Sequence, residues 1–242
     1  MNHAPTKPLR YIVLSASLLG MTLRSLLYAT AIDHKGLMVA GHWATWSILV
    51  LCGLVLATLV FMTRNIQAPD GYSDAFPASI LQSVGSLAAA LAIANHALGR
   101  YPLAADSLDL AAAVSGMVAG IGLLFVAVCQ LLGKKPSFLC HSAVSIFFAL
   151  QLISHYRHWS ANPQLMDYCF YLAALIGLMF TAYFLAGFEA RMARPRALLI
   201  SSLAAVYFCC LALPESGNVP MLIACALWAF ICTPLTIPNT KD

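Results

Sequence analysis

Long apolar runs follow one another along most of this chain, and each is close to the length that crosses a membrane. The hydrocarbon core of a bilayer is about 30 Å thick, which an α-helix spans with about 20 apolar residues at 1.5 Å each. Eight runs meet that length. They are Tyr11–Ile32, Gly41–Met62, Pro77–Leu98, Leu108–Leu132, Pro136–His155, Asp167–Phe188, Arg196–Leu213 and Val219–Ile237.

Continuous runs of this length exclude most folds. Within a bilayer only helices and closed barrels satisfy every backbone polar group, and these runs are too long for barrel strands. Only 9% of the residues are charged, whereas a soluble domain has about 25%. The sequence therefore predicts an all-α transmembrane bundle of eight spans, a single integral membrane domain over residues 1–242 surrounded by a lipid bilayer.

The distribution of lysine and arginine orients the bundle. With the N-terminus inside, nine of these residues fall in inner segments and three in outer loops. The positive-inside rule then places both termini in the cytoplasm. The inner set is Lys7, Arg10, Arg64, Lys134, Lys135, Arg191, Arg194, Arg196 and Lys241, and the outer set is Lys35, Arg100 and Arg157.

The first span also has features of a cleaved signal peptide. A basic start is followed by an apolar region and by the small residues Ala29, Thr30 and Ala31. Arg24 interrupts that apolar region. We therefore expect the first span to be retained.

Polar residues collect at the end of the bundle that this orientation places outside. Arg24 lies about 20 Å along the first span, in the outer third of the hydrocarbon core. The third outer loop lies within the stretch "SHYRHWSANPQLMDY", Ser154 to Tyr168, and is dense in ionisable side chains. The candidate ligand-binding residues of this end are Arg24, His42, His96, Arg100, Gln151, His155, Arg157, His158 and Asp167.

Helical spacing places several of these residues on shared faces. His141, Gln151, His155 and His158 lie within an arc of about 100° on the fifth span, and Ser145 widens the arc to about 140°. Lipid would penalise this stripe, so we expect it to face the bundle interior. Interhelical hydrogen bonds and a ligand site both explain it. Comparable small or polar faces are Ser17, Gly20, Arg24 and Tyr28, then Gln82, Gly85, Ala89, Ala92 and His96, and "GMVAG" (Gly116–Gly120).

The dense stretch also has an expected local structure. Ser154–His158 should continue the fifth helix, and Pro163 should end the turn. Asp167 should begin the sixth helix, where the dipole favours a carboxylate, and pair with Arg157. Arg24 should line a cavity or be paired, because guanidinium keeps its proton. Its candidate partners are Asp33, Asp109 and Asp167.

Several functions are disfavoured by missing patterns. The chain has no GxxxxGK[ST], GxGxxG, HExxH or GxSxG motif. A net charge of +4 without a basic arm argues against nucleic acid. The eight cysteines lie in or beside apolar runs without CxxC spacing, so we interpret them as buried hydrophobic residues. HxxH at His155 and His158 alone is a weak metal signal, and no cofactor is expected. Glu189 lies only at a span end, which argues against a carboxylate proton relay.

Two stretches carry a resemblance to known proteins. "DHKGLMVAGH" (Asp33–His42) and "YRHWSANPQLMDYCF" (Tyr156–Phe170), with "LMFTAYFLAGFEA" (Leu178–Ala190), resemble a group of uncharacterised multi-pass membrane proteins from clostridial bacteria. The resemblance extends over most of the chain and implies a bacterial plasma-membrane protein. It implies no activity, substrate or cofactor.

Three functions fit these observations. The first is binding or transport of a small anionic or zwitterionic molecule at an outward-facing site, with Arg24, Arg100 and Arg157 setting the preference. The second is a membrane-embedded enzyme that depends on histidine or on a histidine-bound metal, which we expect less. The third is a non-catalytic subunit whose polar residues dock a membrane protein partner or a second copy. An open cleft at the outer end would favour binding or transport, and a bound metal would favour the enzyme. A closed hydrogen-bonded network would favour the non-catalytic subunit.

Overall fold

The computed structural model describes residues 6–31, 42–64, 76, 79–104, 106–159, 165–214 and 216–233. Of residues 6, 7, 158, 159 and 165–167 it describes the backbone. The elements within these ranges are helical, which confirms the all-α prediction. They are α1 (Thr6–Thr30), α2 (Trp43–Met62), α3 (Ile80–Arg100) with a 3₁₀ turn at Tyr101–Leu103, α4 (Ser107–Leu131), α5 (Phe138–Trp159), α6 (Leu165–Glu189), α7 (Pro195–Ala212) and α8 (Val219–Ile231).

Each predicted span corresponds to one of these helices, but their lengths differ. Seven helices in the described ranges, α1 to α7, are long and apolar enough to cross a membrane. The shorter α8 has 13 residues, or about 20 Å at 1.5 Å per residue. The predicted eighth span continues to Ile237, outside the described residues. At the other end, α1 begins at Thr6 rather than Tyr11, since Pro8 is tolerated in a first helical turn.

Small residues bring neighbouring helices close together. On α4, Gly116 lies where an added Cβ would be 2.8 Å from the Ala97 side chain of α3. On α3, the nearest backbone atom to such a Cβ at Gly85 is the Cα of Trp228 on α8, at 3.7 Å. On α6, a Cβ at Gly177 would lie 2.8 Å from the Cα of Ala205 on α7. These contacts follow the small-residue pattern, because backbones approach closely only where side chains are short.

The side chains divide into a packed interior and an apolar outer surface. Trp228, Tyr207 and Phe147 are fully buried, whereas Trp46 and Phe61 are 64% and 75% exposed. A soluble protein rarely exposes such large continuous apolar surfaces. The apolar exterior on an apolar helical bundle identifies a multi-pass membrane protein.

The helices alternate in direction, so each end of the bundle collects a defined set of helix termini. We call one the His96 end, where α3 and α5 finish and α4 and α6 begin. The other is the Glu189 end, where α4 and α6 finish and α5 and α7 begin. The polar stripe of α5 faces the interior as predicted, because His141 and Gln151 are each 1% exposed.

Candidate functional site

Three helix ends converge on a polar network at the His96 end. Arg100 is the last residue of α3, and Asp109 lies in the first turn of α4. These positions suit the helix dipole, which favours cations at a C-terminus and anions at an N-terminus. We call the network the His96 cluster and define it as His96, Arg100, Asp109, Gln151, Ser154 and His155.

Arg100 lies at the centre of the cluster. Its Nη1 donates to Oε1 of Gln151 at 3.3 Å and contacts Nε2 of His155 at 3.2 Å. A guanidinium has no acceptor, so Nε2 of His155 accepts and that ring is neutral, with its proton on Nδ1. The guanidinium therefore orders two side chains of α5 around itself.

Gln151 connects Arg100 to His96 by hydrogen bonds. Since its Oε1 faces Arg100, its Nε2 is the donor to Nε2 of His96, at 2.7 Å. His96 is therefore also neutral. The side chain of Asn218, immediately before α8, lies next to both His96 and Tyr171. The cluster therefore also borders α6 and the start of α8.

Asp109 supplies the negative charge of the cluster. Its Oδ1 accepts a hydrogen bond of 2.5 Å from Ser154 and lies 3.9 Å from Nη2 of Arg100. A direct charged hydrogen bond is about 2.7–2.9 Å long, so the Arg100–Asp109 pair is loose. The Arg100 side chain is 31% exposed and that of Asp109 is 8% exposed.

The cluster is bordered by the stretch Ser154 to Tyr168, which joins α5 to α6. As predicted, Ser154–His158 continues α5, which runs to Trp159, while α6 begins at Leu165 rather than Asp167. Arg157 forms an ion pair of 3.0 Å with Asp106, and both are exposed. The side chains of His158 and Asp167, and the turn at Pro163, lie outside the described residues. The His155 ring meets Tyr171 edge-on at 5.1 Å.

Arg24 is placed inside the bundle rather than toward lipid. It is 3% exposed, and its Nη2 donates to the hydroxyl of Tyr28 at 3.2 Å. Its guanidinium also lies 4.8 Å from the ring centroid of Phe170 on α6. A desolvated cation–π contact contributes about 2 kcal/mol. These contacts lead to aromatic rings rather than to the His96 cluster, and its candidate partner Asp109 engages Arg100.

His42 also takes a local role. It caps α2, where its Nδ1 accepts from the backbone amide of Ala44 at 3.3 Å. Its ring centroid lies 5.6 Å from that of Trp43. The described contacts therefore group four of the nine candidates, His96, Arg100, Gln151 and His155, and place Arg24, His42 and Arg157 elsewhere.

The Glu189 end contains a second buried polar group, which the sequence analysis did not anticipate. Nδ1 of His141 lies 2.7 Å from Oε1 of Glu189, and the two side chains are 1% and 0% exposed. The His141 ring stacks on Trp228, with centroids 6.1 Å apart. Although Glu189 ends α6, its carboxyl is fully buried. The sequence places Glu189 at a span end, and it does end α6, but the burial of its carboxyl was not predicted.

Several polar atoms of this second group have no hydrogen-bond partner among the described residues. They are Nε2 of His141, Oε2 of Glu189 and Nε1 of Trp228. Because a buried polar atom without a partner costs about 1–3 kcal/mol, this group is less completely satisfied than the His96 cluster.

The side chains of these groups can recognise charged molecules and balance charge. Within the described part of the chain, no group of three or more His, Cys, Asp or Glu side chains is arranged to hold a metal ion. The eight cysteines are free thiols, and most are buried. The His96 cluster instead offers one cation, one carboxylate and two neutral imidazoles.

Comparisons with known proteins give no further guidance. No family model, curated protein or solved structure matches the chain. Its function must therefore follow from its own residues.

Some residues in and beside the His96 cluster were missed by sequence reasoning. Ser154 and Asn218 were not candidates, and Asp109 was considered only for Arg24. A signal was present for Asp109, because the short connection between α3 and α4 brings Arg100 and Asp109 together. For Asn218, the sequence gives no comparable signal.

Proposed function

We propose that the protein binds or transports a small zwitterionic molecule, which it recognises at the His96 cluster. The observation that carries this proposal is the loose Arg100–Asp109 pair, with 3.9 Å between Nη2 and Oδ1. A cation and a carboxylate held side by side match a ligand that carries both charges. Its carboxylate or phosphate would contact Arg100, and its ammonium would contact Asp109.

The rest of the cluster suits this role. Gln151 and His155 accept hydrogen bonds from Nη1 of Arg100, which leaves Nη2 directed toward Asp109. Because the contact between Arg100 and Asp109 is long, a ligand anion can replace Asp109 at Nη2 without breaking the bonds from Arg100 to α5. Arg100 is also the more exposed partner of the ion pair, so it would meet the ligand first. An anion without an ammonium group would engage only Arg100.

A second candidate function rests on how closed the cluster is. Gln151 is 1% exposed and Ser154 is fully buried, and their bonds join α3, α4 and α5. A network of this kind fits a non-catalytic subunit in which interhelical hydrogen bonds fix the bundle and its outer face docks a membrane protein partner.

The membrane arrangement belongs to the same proposal. We infer eight spans, with both termini in the cytoplasm of a bacterium and the His96 end outside. The lysine and arginine bias supports this orientation. Reporter fusions after Arg64, Lys135 and Arg194 should read cytoplasmic, and fusions after Arg100 and Asn162 external. An external reading at Lys135 would overturn the topology.

A ligand screen by thermal shift tests the binding proposal. Purified protein in detergent would be heated with amino acids and other small zwitterions, and with matched anions that lack the ammonium group. We expect a zwitterion to raise the Tm of the wild type, with the effect lost in Arg100→Gln and His155→Ala. Asp109→Asn should remove the preference for zwitterions over anions.

Lys135→Gln is the matched control, because it removes one exposed charge at the opposite end. It should respond like the wild type. If no zwitterion acts, or if every variant responds alike, the cluster is a structural network and the second candidate is favoured.

A further inference from the structure

A groove at the Glu189 end is distant from the His96 cluster and has a different chemistry. It lies between the last two turns of α2 and the start of α7, with a volume of about 840 Å³. One wall is apolar and includes Leu56, Ala57, Val60 and Phe61, while Arg64 and Arg196 close the end. An apolar surface below two cations complements a phospholipid, because the acyl chains of the lipid lie below its anionic headgroup.

The apolar wall faces outward from the bundle. Phe61 is 75% exposed and Val60 is 48% exposed, and α2 is the least buried of the seven long helices, at 17%. From Leu56 to Arg64 the groove follows α2 for roughly 12 Å, at 1.5 Å per residue. This is over a third of the hydrocarbon core of about 30 Å, enough to receive the upper part of an acyl chain.

Among the described residues, the two arginines have no anionic partner. In the ranges that the structure describes, neither Arg64 nor Arg196 forms an ion pair with a carboxylate. Arg196 lies in the first turn of α7, which starts at Pro195 and has no side-chain cap. A helix N-terminus carries partial positive charge, so a cation there is unfavourable unless an anion lies nearby. A phosphate between Arg64 and Arg196 would neutralise both and meet the free end of α7.

We propose that this groove binds an anionic phospholipid from the leaflet that borders the Glu189 end. The phosphate contacts Arg64 and Arg196, and an acyl chain lies along Leu56, Val60 and Phe61. Basic pockets between transmembrane helices are suited to such headgroups. The proposal does not depend on any ligand of the His96 cluster.

Native mass spectrometry on the purified full chain tests it, with phosphatidylglycerol and phosphatidylcholine as the two probes. The wild type should retain phosphatidylglycerol preferentially. Arg64→Gln with Arg196→Gln should weaken that retention about 10- to 30-fold. The control, Lys134→Gln with Lys135→Gln, removes the same charge from exposed positions at the same end and should bind like the wild type.

A second variant tests the apolar part without changing charge. Ala57→Trp fills the groove beside the acyl chain and should also reduce phosphatidylglycerol retention. Equal losses in the two double variants would show general attraction to a basic surface and overturn the proposal. Wild-type retention in the arginine variant would overturn it as well. If that variant does not fold, Ala57→Trp decides: reduced retention supports the groove, and unchanged retention refutes it.

Discussion

The two ends of the bundle bury charge in different ways. At the His96 end, Arg100 contacts Gln151, His155 and Asp109, and Asp109 also accepts from Ser154. At the Glu189 end, one carboxylate meets one imidazole at 2.7 Å. The first arrangement spreads charge over three helices, while the second confines it to a single contact between α5 and α6.

This difference bears on what each end can do. A charged side chain that has several partners and is partly exposed can exchange one partner for a ligand, because its other partners still compensate the charge. A fully buried carboxylate with one partner has no such freedom, because losing that partner leaves its charge without compensation. The His96 end is therefore suited to recognition, and the Glu189 end to fixing α5 against α6.

Breaking the pair at the Glu189 end should have the largest effect. In His141→Ala the Glu189 carboxyl, which is 0% exposed, keeps no side-chain partner among the described residues. Removing one member of a buried pair costs about 3–5 kcal/mol. Equilibrium unfolding by SDS in mixed micelles measures the loss.

Replacing the whole pair is the control for this prediction. His141→Leu with Glu189→Met keeps a packed apolar contact and replaces both polar side chains, so it should recover most of the lost stability. A double variant as unstable as His141→Ala would show that packing against Trp228, rather than charge, fixes this end.

Removing one hydrogen bond from the His96 end should have a smaller effect. Ser154→Ala removes the bond of 2.5 Å to Asp109, which costs about 2 kcal/mol because the acceptor is charged and buried. The loss stays moderate because Arg100 still compensates Asp109. Ser142→Ala on the same helix removes an exposed bond to the carbonyl of Phe138 and should change stability by less than about 0.5 kcal/mol. Equal losses in the two variants would contradict the special role of Ser154.

Much of the fold could be predicted from hydrophobic length alone. Each apolar run became a helix because lipid leaves the backbone no other way to pair its polar groups within one segment. The interior face of α5 followed from helical spacing, since polar side chains avoid lipid. Helix ends were less certain, as at Thr6 and Trp159, because hydropathy does not mark where a helix leaves the bilayer.

The candidate sites were harder to predict, because pairing depends on which helices are neighbours. His141 and Glu189 lie at comparable distances from the connection between α5 and α6, so an antiparallel pair brings them together. That relation is visible in the sequence once α5 and α6 are assumed to pack. The contact of Asn218 with α3 and α6 is not visible in the sequence, because it requires α8 to pack beside α3.

The smallest effect is expected at the surface of the His96 end. Arg157 and Asp106 are 3.0 Å apart, but their side chains are 61% and 43% exposed. Water screens such a pair, and ordering two long side chains opposes it, so Arg157→Ala should cost less than about 1 kcal/mol. The same SDS titration measures it, with Lys135→Gln as an exposed control. A loss as large as that of Ser154→Ala would show that Arg157 belongs to the His96 cluster. The distinction between the buried cluster and the exposed Arg157–Asp106 pair would then be wrong.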